Sequence, residues 1–322
     1  MANVIEATPL SVPDSDALRF LPEGPYQIAP GQFSWVGIQH GSDANHGSLN
    51  RYDFQTGQNI SIDLPGRPGF AFPCSPNAGA ALDRFVVGCE RSLGFVDLES
   101  KQFTPFCEGV DGDVTGTIIN DGLVIDDNLI FGTKDLEFAT KKAGLYLYRG
   151  RDQKLIRLRD DQICSNGKAT LSQDGQLWLV DIDSPTRQVV RYQLDIDGGS
   201  LGPAEVVLDL TADPAVPDGA ILTPDGSGLI VSMFLPQAAA YGETRLYDLT
   251  TGQCQTIWRT PLSPQNTCPA LVAENGTLKL VITTAVENMT ADDQAVCTNA
   301  GRIFVADSGL AVGSWNPPQY RG

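Results

Sequence analysis

Positive charge is scarce in this 322-residue chain: 22 Lys and Arg stand against 39 Asp and Glu, a formal net charge of −17. That balance repels phosphate backbones and anionic bilayers, so neither nucleic acid nor a membrane surface is an expected partner. No apolar run approaches the roughly 18 residues that a membrane-spanning helix needs. The opening MANVIEATPLSVPDSD lacks the basic and apolar stretches of a secretory leader, so the expectation is a cytoplasmic protein, a monomer or a small homo-oligomer. Histidine is almost absent, with only His40 and His46, and the seven cysteines form no C-x-x-C pair. A zinc ribbon, a disulfide framework and a histidine-based triad are therefore set aside, and the cysteines read as buried thiols. Gly198-Gly-Ser-Leu-Gly202 matches a nucleophile-elbow pattern, but both histidines lie far upstream and it reads as a surface turn. Helical periodicity is missing throughout.

What the chain does have is turns and short strands. It holds 33 Gly and 21 Pro, and β-branched and aromatic runs recur between Gly, Asp, Asn and Pro. A strand–Asp–turn phrase returns as RYDFQTGQ, FVDLESKQ, YLYRGRDQK, YQLDIDGG and LYDLTTGQ. Its markers Asp53, Asp97, Arg149, Asp195 and Asp248 are 44, 52, 46 and 53 residues apart. A second series, SQDGQLWLVD, TPDGSGLIVS and AENGTLKLVI, places Asp-Gly or Asn-Gly before an alternating apolar strand, with steps of 51 and 50. Periods of this size, each holding about four short strands, predict an all-β fold: one six-bladed β-propeller of four antiparallel strands per blade over residues 1–322. Residues Asn3–Ala7 are expected to pair into the last blade and close the ring, which removes open sheet edges.

Successive strands reverse, so the start of each innermost strand and the loop between second and third strands share one face. Candidate starts fall at positions 23, 70, 120, 166, 218 and 266. Four of them bring an oxygen donor to the same phase: Glu23, Asn120, Asn166 and Asp218. Two carboxylates and two amides around an axis suit a hard divalent cation, with coordination positions left for water. Taken singly, each Asp-Gly or Asn-Gly is also an ordinary turn.

These residues carry a resemblance to the senescence marker protein/regucalcin/gluconolactonase family of six-bladed propellers. Leu21-Pro-Glu-Gly-Pro-Tyr26 resembles its opening motif, Asn120-Asp-Gly122 with Phe131-Gly-Thr133 its third-blade signature, Cys164-Ser-Asn-Gly167 with Asp183-Ser184 its fourth, Pro217-Asp-Gly219 its fifth, and Gly301-Arg-Ile-Phe-Val305 its closing strand. The resemblance implies that Glu23, Asn166 and Asp218 ligate the metal, that Asn120 contacts substrate or a metal-bound water, and that the activity is metal-dependent opening of a lactone. Calcium is the favoured cation, with Mg, Mn, Zn and Fe(II) undistinguished. Asp218 is the candidate proton acceptor and Asn120 its catalytic companion. The family often places Arg two residues before the third-blade Asn, and this chain has Ile118. With a strand period of two, Ile118 is expected to line the pocket beside Asn120 and to favour a less hydroxylated lactone. Lys134, Asp135 and Glu137, after the third blade's second strand, and His40, in the enlarged 39–48 loop, complete the expected substrate rim. The net charge favours a neutral substrate over a phosphorylated one. A calcium-binding regulatory propeller without turnover, or an interaction scaffold, are the competing classes.

Overall fold

The computed structural model describes residues 2–76, 82–313 and 315–322. Six small antiparallel sheets stand around one axis as a six-bladed β-propeller, as the repeat predicts. Blade 1 spans 22–63, blade 2 68–107, blade 3 117–162, blade 4 165–209, blade 5 216–261, and blade 6 266–307. Among the described residues the only α-helices are the short Asp16–Arg19 and Ala291–Val296, and neither is long and apolar enough to cross a membrane.

The repeated Asp has a local cause. Asp53, Asp97, Asp195 and Asp248 each end a third strand and accept, through Oδ1, a backbone N–H two or three residues on, capping the turn into the outer strand. Arg149, at the same phase in blade 3, instead pairs with Asp152 at 2.8 Å. The second series is the hairpin between first and second strands: Asp174-Gly175 and Asn275-Gly276 all take positive φ, the twist-matched turn for a two-residue loop. Alternation along the second and third strands then turns one apolar row to each neighbouring blade. Phe33, Trp35, Val272 and Val281 meet where blade 6 closes on blade 1, and Phe70, Val86, Phe131 and Tyr146 meet between blades 2 and 3.

Closure differs from expectation. Asn3–Glu6 pairs in parallel with the outer strand of blade 5, Asn3 opposite Thr256 and Glu6 opposite Arg259, and it is Thr8–Pro9 that supplies the fourth strand of blade 6 against Phe304–Asp307. The reason is length. Blade 6's third strand has only 4 residues, whereas Cys254–Pro261 offers 8, and Ile5 packs there into the cluster around Trp258.

All six innermost strands carry a register shift near their start, at the same phase. In blade 3, Ile119 faces Thr133 and Gly122 faces Phe131, so Asn120 and Asp121 together oppose Gly132 alone. Such a bulge twists the strand and re-aims its side chains. Glycine serves close approach here: a Cβ on Gly69 would lie 2.1 Å from the Asn120 carbonyl oxygen, and one on Gly219 would lie 2.8 Å from Cα of Cys268. Each innermost strand thus presses on the next at the bulge, which places neighbouring bulges within side-chain reach around the axis.

Candidate functional site

The bulges open into a cavity of about 430 Å³ at the end of the axis where the innermost strands begin. Glu23 stands just before the first bulge, Asn120 in the third, Asn166 just before the fourth and Asp218 in the fifth, and all four line this cavity. A hydrogen-bonded chain fixes the amides. Asn120 Nδ2 donates to Asn166 Oδ1 at 2.6 Å and to the Ser165 carbonyl at 3.0 Å; Asn166 Nδ2 donates to Ser184 Oγ at 2.8 Å; and Ser184 Oγ donates to the Pro217 carbonyl at 2.7 Å. Blades 3, 4 and 5 are locked at one radius by those bonds.

The carboxylates are not satisfied in this way. Among the described residues Glu23 accepts only from the Gly24 amide, at 3.1 Å, and Asp218 Oδ1 is buried with no hydrogen-bond partner. Burial first, then the negative charge of Asp121, pushes Glu23 up to about 8, with the Gly24 amide and Lys134 opposing. Burial, then Glu23 and Asp121, drives Asp218 well above the carboxylate range. Two buried carboxylates in one cavity, with the charge of Glu23 adding to the shift of Asp218, are short of a positive partner. A divalent cation between them, with the Asn166 amide oxygen as a neutral donor, meets that need, and the orphaned Asp218 Oδ1 is the atom that asks for it. Among the described residues no group of three or more His, Cys, Asp or Glu forms a denser metal site.

The other expected residues divide. Lys134, 6% exposed, lines the cavity with its ammonium toward the Phe138 ring. Asp135 is buried beneath the rim: burial works to raise its pKa, but Lys142 at 2.9 Å and the amides of Thr140, Glu137 and Ala139 hold it far below the ordinary range. That clamp folds 136–142 so that Phe138 lines the wall, while Glu137 is exposed and outside the lining. Ile118 is also outside it. Ile118 is 1% exposed and packs with Leu21, Val36 and Phe85, because the bulge at Asn120–Asp121 breaks the period of two that would have set it beside Asn120. His40 turns from the cavity onto Ser48 Oγ, 2.9 Å away, and packs edge-on against His46.

Arg187, Phe234 and Glu287 also line the cavity, and the sequence reading missed them. All three lie at or beyond the end of a second strand, in blades 4, 5 and 6. Extending to those blades the loop argument that singled out Lys134 in blade 3 finds them.

A family comparison decides the kinship. The SMP-30/gluconolactonase/LRE-like region matches residues 21–286. The chain belongs to this family. Regucalcin of Agrobacterium tumefaciens, described as a calcium-binding protein, superposes with a TM-score of 0.82 over 100% of both chains at 22% identity. A luciferin-regenerating enzyme superposes with a TM-score of 0.76 at 20% identity, over 94% of this chain and 95% of that one. At these identities the likeness establishes the fold. In sequence, the family member is 28% identical over 191 residues to a putative sugar lactone lactonase, YvrE, of Bacillus subtilis, a match spanning 59% of this chain and 61% of that protein.

Proposed function

We propose that this family member is a lactonase whose site is assembled on a divalent cation, calcium by preference, held by Glu23, Asn166 and Asp218. The observation that carries the reading is the pair of buried carboxylates around an orphaned Asp218 Oδ1, opening on a cavity larger than a lone ion requires. Once bound, such a cation supplies Lewis acidity toward a carbonyl oxygen and toward water. The residues of the chain supply the rest. Asp218 takes the proton of the attacking water, and the chemistry adds hydroxyl to the acyl carbon and a proton to the ring oxygen as the acyl C–O bond breaks, giving a hydroxy acid. Asn120, fixed by its bonds to Asn166 and Ser165, orients the lactone, and Lys134 contacts it from the neighbouring strand. Phe138, Phe234 and Pro236 exclude bulk water from the wall.

Apo protein, prepared by chelation, is titrated with Ca, Mg and Mn by calorimetry and then offered a lactone panel with a pH indicator. Saturable binding with steady acid release supports the lactonase. Binding without turnover supports the calcium-binding regulatory class, and neither result is compatible with a bare interaction scaffold.

A further inference from the structure

Lys134 is a buried cation without a counter-ion of its own. It is 6% exposed, and among the described residues no carboxylate lies within ion-pair distance and no group accepts from its ammonium. The other buried or half-buried lysines near the axis are paired, Lys142 with Asp135 at 2.9 Å and Lys168 with Asp181 at 3.4 Å. Leaving an ammonium unpaired in a low-dielectric site is costly unless a ligand completes it. Arg187, on another wall of the same cavity, donates among the described residues only to the backbone carbonyls of Asp213 and Ala215 and likewise has no carboxylate partner there.

An anionic group would complete both, provided the cavity carries the cation proposed above. Glu23, Asp218 and Glu287 are the acids of the lining. Asp183 and Asp121 lie outside that lining: Asp183 accepts from the Ile163 and Cys164 amides at 3.0 and 2.9 Å, and Asp121, whose charge still reaches Glu23 and Asp218, lines the other end of the axis with Lys168. A divalent cation cancels Glu23 and Asp218. Glu287 forms no ion pair with Lys134 or Arg187, so among the described residues both cations meet the cavity beside the apolar walls of Phe138, Phe234 and Pro185 without a carboxylate in contact. The net −17 lies mostly on the surface, where salt screens it over about 10 Å.

We propose that Lys134 and Arg187 form a carboxylate subsite, so that the substrate of this site is a lactone bearing a free carboxylate. Hydrolysis of its ring ester gives a hydroxy acid with two carboxylates, one newly formed and one a spectator held by the subsite. A phosphate group, near −2, would set a second negative charge beside Glu23, Asp218 and Glu287.

The test uses the calcium-loaded full chain and compares binding of glucarate, gluconate and 6-phosphogluconate by calorimetry. Glucarate and gluconate differ by one carboxylate in place of a hydroxymethyl group. Wild type is expected to bind glucarate about tenfold or more tightly than gluconate, the scale of one charged hydrogen bond. Lys134→Met and the rim variant Arg187→Met, each checked for an unchanged melting profile, should each bring that ratio to within about threefold while calcium affinity is undiminished. Equal binding of glucarate and gluconate by wild type overturns the proposal. So does tighter binding of 6-phosphogluconate, or a Lys134→Met and Arg187→Met pair that leaves the ratio unaltered. Lactone opening is read separately. Selective glucarate binding with no lactone opened keeps the subsite and removes the lactonase reading; gluconolactone opened with no preference among the acids does the reverse.

Discussion

With Glu23 and Asp218 as its ligands, the proposed cation site has an affinity that depends on pH. Glu23 is pushed up to about 8 and Asp218 well above its ordinary range, so in the absence of a cation both hold protons that metal must displace. Affinity is therefore expected to rise with pH through about 8, with more than one proton released per cation near pH 7. Calcium titrations in buffers of different ionisation enthalpy measure that release; a pH-independent affinity would contradict it. The same shifts fix the sign for stability. An acid whose folded pKa lies above its unfolded value stabilises the fold below the unfolded pKa, and that contribution is lost as pH rises through the folded value. The metal-free protein should thus melt lower at pH 8.5 than at pH 6, and calcium should restore the difference. Glu23→Gln and Asp218→Asn should each abolish calcium binding and lactone turnover while flattening the loss above neutrality. Ile118→Arg makes a different point. Because Ile118 packs among Leu21, Val36 and Phe85, an arginine there buries an unpaired charge and should destabilise the fold by roughly 3 kcal/mol or more in denaturant unfolding, rather than tune specificity. The oxygen donors were legible because their phase matches the bulges. Ile118 was misplaced because a bulge leaves no mark in the sequence and silently ends the alternation on which its placement depended.

Each bulge depends on what lies beneath it. In blade 4 the bulge holds Lys168, whose ammonium lies 2.9 Å from Ser165 Oγ, 3.2 Å from the Asn166 carbonyl and 3.4 Å from Asp181, with the side chains of both Lys168 and Asp181 fully buried. Lys168→Met strands the Asp181 carboxylate and is expected to cost about 3–5 kcal/mol in denaturant unfolding; adding Asp181→Leu should recover much of that. In blade 2, Gly69→Ala drives a methyl group into the Asn120 carbonyl oxygen 2.1 Å away and should cost about 3 kcal/mol or displace Asn120. Turnover falling further than calcium affinity in that variant would locate the damage at Asn120. The turns explain why the blades were readable at all: capped Asp turns and positive-φ hairpins use residue types that few other structures tolerate in series. The cavity's second-strand loops use no such vocabulary. Arg187 and Glu287 belong to the site through tertiary packing, while His40, in a loop of equal promise, is drawn off by Ser48. The destination of Asn3–Glu6 was hidden for a related reason, since which outer edge it joins depends on the relative lengths of strands in two blades.

The ring as a whole is held by two crossings of distant chain. Thr8–Pro9 completes blade 6, and residues 315–320 pass beneath the axis, where Tyr26 Oη donates to the Pro318 carbonyl at 2.6 Å and the Tyr320 amide donates to the Pro73 carbonyl at 2.9 Å. Trp315 and Pro317 line a second cavity of about 220 Å³ at that end, with Tyr26, Phe70 and Asp121. Removing residues 1–10 exposes the third strand of blade 6 and the outer strand of blade 5 as free edges, and the truncated protein is expected to lose several degrees of melting temperature and to self-associate in light scattering. The Thr8–Pro9 pairing also orders events in time. Its partner, Phe304–Asp307, is synthesised nearly 300 residues later, so blades 1 to 5 must emerge from the ribosome and persist as an open arc while the segment that will close them waits unpaired. Loop closure over so long a span is slow relative to hairpin formation within any one blade. Refolding should therefore show a fast phase in which separate blades gain β-structure and a slower one in which the circle shuts, and the proposed calcium site, built from blades on opposite sides of the axis, should form only in the second.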